Sequence, residues 1–243
     1  MPACLSPSLP RRLVALWFVY AEAASAATPL SPVTVQAVTG RVIAGYDQLQ
    51  AGRRSFQAHH SLAPEARLRF VLDDAGADPA RPPPLQFLSD RMQLDVPLEE
   101  GRYFRLGAPV PALHQGRLLA ARSSGRLQIH PLVRDPDSDP LVTRLGDLRL
   151  ECEVSWSIGK SSAPLWMRGA FAMAGGVCHS SHIQAGLYSP RAIQSVTLSE
   201  QGHSASFKAG PNHHDYQLPL YDRHWSDRAL VRFQAMPTRM PSS

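Results

Sequence analysis

The chain has 243 residues, 44% of them hydrophobic and 19% charged, with a formal net charge of +5. That balance supports a packed core and excludes a chain disordered throughout. The positive surplus is too small for the basic footprint of a nucleic-acid binder, so no nucleic-acid partner is expected.

Residues 1–27 read as a secretory signal. Arg11 and Arg12 form the basic region, residues 13–21 the apolar region, and Ala-Ser-Ala at 24–26 the cleavage site. The apolar run is too short to span a bilayer and ends at Glu22, so no transmembrane anchor is expected. The expected location is periplasmic or secreted. Removing Arg11, Arg12 and Glu22 lowers the net charge from +5 to +4. Of the three cysteines, Cys4 leaves with the signal. Cys152 and Cys178 then meet an oxidising compartment and are predicted to join. The closed loop of about 26 residues contributes roughly 3.5 kcal/mol in the chain-entropy model. Two thiols are too few for a four-cysteine zinc site.

Residues 28–134 read as an N-terminal β-sandwich domain. Strands are predicted at 33–38, 40–45, 66–72, 92–96, 102–106, 117–121 and 126–130, most of them bounded by Gly, Pro, Asp or Ser. Residues 47–64 are polar and poorly periodic and read as a surface loop that carries His59 and His60. Residues 73–84 form a turn-rich loop, and 97–101 a hairpin loop. Short strands at such spacing predict a mainly β fold, an antiparallel sandwich of immunoglobulin/transthyretin-like architecture. Thr-Gly-Arg-Val at 39–42 and Glu-Gly-Arg-Tyr-Phe at 100–104 are fragments common in β proteins. They identify no family and carry over no residue role.

Residues 135–140 are an Asp/Pro hinge. Asp135, Asp137 and Asp139 have the spacing that opens a calcium loop. The match ends at Pro140, where glycine is required, and at Gly146, where the bidentate glutamate is required. Residues 141–236 read as a second mainly β domain or a continuation of the first, with a tail at 237–243. From Leu148 to Ile158 apolar residues alternate with polar ones, the period of a half-buried strand. A helix within 139–159 is the competing reading, with Asp139 as N-cap, Pro140 as first residue and Gly159 past the end. It would leave Leu150, Val154 and Ile158 as a second apolar stripe, so the strand is preferred. Residues 165–171 read as a strand or loose core segment. Residues 192–199 and 203–208 form a hairpin, 210–225 a long polar and aromatic loop, and 229–234 a closing strand.

Six histidines follow residue 178. A zinc or copper site would draw on His179, His182, His213, His214 and Asp215. Such a site would make the chain a metal-dependent hydrolase. The run from Gly202 to Ser206 approaches the nucleophile-elbow pattern, with Ser204 as the nucleophile of a serine hydrolase. Its last position is Ser206 where the pattern needs glycine, and no helix follows. Asn212, His214, Asp215, Tyr216, Tyr221, Arg223 and Trp225 suit a glycan or peptide ligand, because rings stack while polar groups orient. The opposing reading is a loop pinned by its aromatics. No dinucleotide or phosphate-loop motif is present. The first-ranked function is therefore an exported cell-envelope β protein that binds or scaffolds, without a cofactor and without catalysis. Its expected partner is an envelope glycan or a peptide or protein.

Overall fold

A computed structural model describes residues 40–75, 82–121 and 126–237. The signal, the strand at 33–38, Cys4, residues 76–81 and the tail beyond 237 lie outside the described residues. Residues Val38–Ser243 gather into one unit.

The chain enters on β1 (Gly40–Gly45) and turns into helix α1 (Tyr46–Ala58). The Gln48 side chain accepts from the Gly45 N–H at 3.0 Å, satisfying a donor the helix leaves free. This helix replaces the loop expected at 47–64. Its inner face is Tyr46, Leu49, Gly52 and Ser55, too small and polar to show helical periodicity in sequence. Strands β2 (Arg67–Ala75), β3 (Leu85–Leu88), β4 (Gln93–Val96), β5 (Tyr103–Phe104), β6 (Arg117–Ala121) and β7 (Arg126–Arg134) follow. They form two antiparallel sheets, in the orders β1-β6-β3-β4 and β5-β2-β7. Phe70, Leu72, Leu85, Phe87, Phe104 and Leu118 share one core with Tyr46 and Leu49 of α1. The expected mainly β, sandwich-like architecture is present.

After β8 (Val142–Arg144) comes α2 (Leu145–Gly159), which corrects the preferred strand reading of this stretch. It begins after Arg144, not at Asp139. Asp147 accepts from the Arg144 N–H at 3.0 Å and from the Thr143 hydroxyl at 2.7 Å. The first-turn N–H groups of Leu145 and Gly146 donate to Ala229 and Asp227 carbonyls, each at 2.9 Å. The stripe that argued against a helix has its own partner. Leu150 and Val154 are buried against Ala63, Ala66 and Val133, with Ile158 and Phe56 beside them. Leu145, Leu148 and Cys152 face the other way, into the second core. Fully burying a Leu or Val side chain contributes about 1.5–3 kcal/mol, so both stripes stabilise the helix.

Helix α3 (Leu165–Met173) replaces the strand or loose segment expected there. Strands β9 (Gly186–Tyr188), β10 (Ile193–Glu200), β11 (His203–Lys208), β12 (Asp215–Gln217) and β13 (Leu230–Ala235) complete the chain. One antiparallel sheet runs β11-β10-β13-β8, and β12 pairs with β9. Ile193, Val196, Leu198, Val231 and Phe233 meet α2 in the second core. The β10–β11 turn is Gln201-Gly202, both with positive φ, the two-residue form that suits strand twist. Cys152 and Cys178 are joined, with Cα atoms 5.9 Å apart.

Helix α2 also buries charge. Arg149 donates to the carbonyls of Leu220 (2.9 Å), Asp222 (2.8 Å) and Trp225 (3.1 Å) and pairs with Asp227. Glu151 accepts from Arg134 at 2.7 Å and from the Val133 N–H at 3.0 Å. Buried charges persist where every group has such a partner. The largest influence on the Glu151 carboxyl is its burial, which holds it above the usual range although Arg134 and Val133 pull it down.

Candidate ligand-binding cleft

The seven residues expected to bind a ligand do not converge. Asn212, His214 and Asp215 build a tight turn. The Asn212 side-chain carbonyl accepts from the N–H groups of His214 (3.0 Å) and Asp215 (2.9 Å), and its amide donates to Asp215 at 2.6 Å. Tyr216 is core: it is 2% exposed and meets Phe233 edge-on at 5.4 Å. Burial pushes its hydroxyl well above the usual tyrosine range. It is closed to a ligand. Tyr221 and Arg223 are exposed, and Trp225 is half-buried against the second core. Their loop is held from beneath by the Arg149 guanidinium.

The candidate metal ligands also stand apart. His179 Nε2 pairs with Glu153 at 2.8 Å, His182 and His213 are exposed, and His214 Nδ1 lies 2.8 Å from the Ser189 carbonyl. Among the described residues no three His, Cys, Asp or Glu side chains form a metal-holding group, and this covers Asp135, Asp137 and Asp139. Those aspartates serve local turns: Asp135 accepts from the Asp137 N–H and Asp139 from the Leu141 N–H. Ser204 is exposed in β11, where its ladder partner is Ser199. It stands on a hairpin strand, so the strand–turn–helix of a nucleophile elbow is missing there.

The site that does assemble lies where β2, β5 and β7 meet the segment after β9. It is a cleft of about 350 Å³, within the range of small-ligand pockets. Alternation places Arg69 of β2 beside Leu132 of β7 across the ladder, with Arg134 two residues on. Arg69 lies over the Tyr103 ring at 4.9 Å, and Arg134 over Phe233 at 5.8 Å. Arg191 lines the same cleft with Ser189 and Pro190. Arg134 is committed to Glu151. Arg69 and Arg191 have no carboxylate partner among the described residues, so two guanidiniums are open to a ligand. Glu100, Asp135 and Asp139 supply negative charge along the same cleft.

The wall carrying Arg191 is fixed to the first half of the chain. Arg102 donates to the Pro190 carbonyl at 2.9 Å. His130 of β7 stacks on Tyr188 of β9 at 3.9 Å and 7°, and Tyr188 stacks on His214 at 5.6 Å and 15°. The Ser189 N–H donates to the His214 carbonyl at 2.8 Å, and the Ser189 hydroxyl donates to the Arg191 carbonyl at 2.7 Å. Burial lowers the His130 pKa, with Asp73 and Asp215 opposing. Burial, and then Asp73 beside its hydroxyl, pushes Tyr188 far above its ordinary value. The stack joins the two halves through ring contact.

Sequence reasoning missed Arg69, Arg134, Arg191, His130, Tyr188 and Arg149. A partial signal existed: alternation in β2 sets Arg67 and Arg69 on the face opposite Leu68 and Phe70. Nothing in sequence shows that a segment 120 residues later closes over that face. Comparison with protein-family models, with curated proteins and with solved structures gives no match.

Proposed function

We propose that this chain is a non-catalytic binding module exported to a bacterial-type cell envelope, and that its cleft takes a zwitterionic peptide-like segment of an envelope polymer. The signal features at 1–27 and the joined cysteines support export. What supports the ligand class is that Arg69 and Arg191, neither with a carboxylate partner among the described residues, line one cleft that also presents Glu100 and Asp139. Guanidiniums recognise carboxylates through paired, charge-assisted hydrogen bonds. The carboxylates along the same walls suit the amine of such a ligand. Pro136, Pro140 and Pro190 stiffen the rim, which limits the ordering cost of binding.

Titration calorimetry tests the reading. The probe is a tetrapeptide-bearing glycan fragment with free carboxylates, compared with the same fragment amidated. Saturable heat is expected with the first and little with the second. Arg69→Ala and Arg191→Ala should each weaken binding roughly tenfold or more, the scale of a lost charged hydrogen bond. Equal heats for both fragments, or variants that bind like the parent, would remove the assignment.

A further inference from the structure

Strand β11 ends the sheet order β11-β10-β13-β8 and is paired on one side only. The opposite end of that sheet, β8, is three residues long and runs straight into α2. β11 pairs with β10 without a bulge, from Lys208 opposite Ser195 to His203 opposite Glu200. The hydrogen-bonding phase of this ladder is fixed at both ends. The two-residue turn Gln201-Gly202 makes Glu200 and His203 a hydrogen-bonded pair. At the far end the Ala209 N–H donates to the Gln194 carbonyl at 3.2 Å. His203, Ala205, Phe207 and Ala209 therefore turn their backbone groups toward β10. The N–H and C=O groups of Ser204, Ser206 and Lys208 point away from the sheet, and all three residues are exposed. Among the described residues these groups have no backbone partner.

Open sheet edges ordinarily carry a proline, a bulge or a charge in mid-strand that blocks further pairing. From His203 to Phe207 there is no proline and no Asp, Glu, Lys or Arg. The strand is self-complementary instead. A two-fold axis at Ser206 sets Ser206 opposite Ser206 of a second copy, and Ser204 opposite Lys208. All of these are outward-facing residues, so the directly opposed pairs form about six backbone hydrogen bonds. An axis at any other residue of β11 leaves fewer such pairs. The intervening pairs set Phe207 beside the small Ala205 of the other copy, on the face where Phe207 packs against the second core. On the other face the Ser206 hydroxyl lies 3.1 Å from that of Thr197, and a row of hydroxyls continues across the axis. The charges also agree. Each Lys208 meets a serine, and the two lysines stand about 14 Å apart along the strands.

We infer that β11 is the interface of a symmetric dimer, in which the edge strands of two copies pair antiparallel and one sheet runs through both. A ladder of this length spans about 20 Å and is smaller than the interface of a permanent dimer, so the association is reversible and set by concentration. It uses no residue of the cleft and does not depend on the cleft being a ligand site.

Sedimentation velocity of the whole protein tests it, over concentrations from about 1 μM to about 1 mM. The sedimentation coefficient should climb from that of a monomer toward that of a dimer across this range. Residue-resolved hydrogen exchange of dilute and concentrated protein locates the surface. The Ser204, Ser206 and Lys208 amides should exchange freely when dilute and about tenfold more slowly when concentrated, while Ala205 and Phe207 stay protected in both. Ser206→Lys sets two ammonium groups face to face on the axis. It should weaken association about tenfold or more, with partial recovery in salt. Ser206→Pro removes only an outward N–H, a place where an edge strand tolerates proline. It should abolish the dimer, and its melting curve when dilute should stay close to the parent's. A parent that remains monomeric at the highest concentration would overturn the inference. So would a dimer that Ser206→Lys leaves intact, or one in which the three outward amides stay unprotected.

Discussion

Glu151 of α2 accepts the Val133 N–H of β7 at 3.0 Å and the Arg134 guanidinium at 2.7 Å. β7 is an edge strand of its sheet, and an edge N–H without a partner is costly when buried. One helix carboxylate therefore closes a sheet edge and neutralises the arginine behind the cleft. Glu151→Leu should cost about 3–5 kcal/mol, the scale of a buried charge deprived of its partner. Glu151→Gln, which keeps an acceptor for Val133, should cost less. Urea unfolding of both variants checks this, and a Leu variant within about 1 kcal/mol of the parent would contradict it.

Arg149 holds the 218–227 loop through three carbonyls and one carboxylate. Lysine has one nitrogen and cannot reproduce that fork. Arg149→Lys should destabilise the fold by about 2–3 kcal/mol. It should also raise hydrogen exchange of amides at 220–229 more than elsewhere. Uniform exchange across the chain would mean that the loop is held by its aromatics instead.

Gly146 sits where α2 begins beneath the turn after α1. A Cβ there would stand 2.2 Å from the Leu62 carbonyl oxygen and 3.0 Å from the Asp227 carbonyl oxygen. Both are backbone atoms, so the chain must shift. Gly146→Ala should cost about 1–3 kcal/mol despite its better helix propensity. A stabilised variant in thermal melts would show that this contact is looser than described.

Burial lowers the His130 pKa, so its folded value lies below its unfolded value near 6.5. Between those two values the unfolded chain binds more protons, and stability rises with pH. Lowering the buffer pH from about 7.5 to about 5 should therefore lower the melting temperature. The loss should begin near 6.5 and level off below the folded pKa. His130→Phe keeps a ring on Tyr188 and should flatten this segment of the pH profile. An unchanged profile would assign the effect to other groups.

The hairpin of β10 and β11 was legible because Gln201-Gly202 is a strong local signal flanked by alternation. The disulfide was legible because only two cysteines, Cys152 and Cys178, follow residue 27. Helix α2 was not, for a geometric reason. Leu148 and Cys152 are four residues apart on one face, and Leu150, Val154 and Ile158 are four apart on the other. The two series are offset by two residues, about 200° around a helix, so together they imitate the period of a strand. A helix shows this pattern only when it is buried on both sides, and its second partner here, β7 with residues 63–66, is distant in sequence. The charges between the stripes pointed to a solvent face, yet Arg149 and Glu151 are buried with partners that sequence does not reveal. The cleft stayed hidden for the same reason: Arg69 and Arg191 are 122 positions apart and line one cleft only in the folded chain.

Hydrogen-exchange footprinting of the whole protein with the tetrapeptide-bearing fragment tests the cleft most directly. Protection is expected at 132–141 and 188–191, with the loop at 220–225 unchanged. Protection confined to 212–225, or none under saturating fragment, would contradict the placement of the ligand between Arg69 and Arg191.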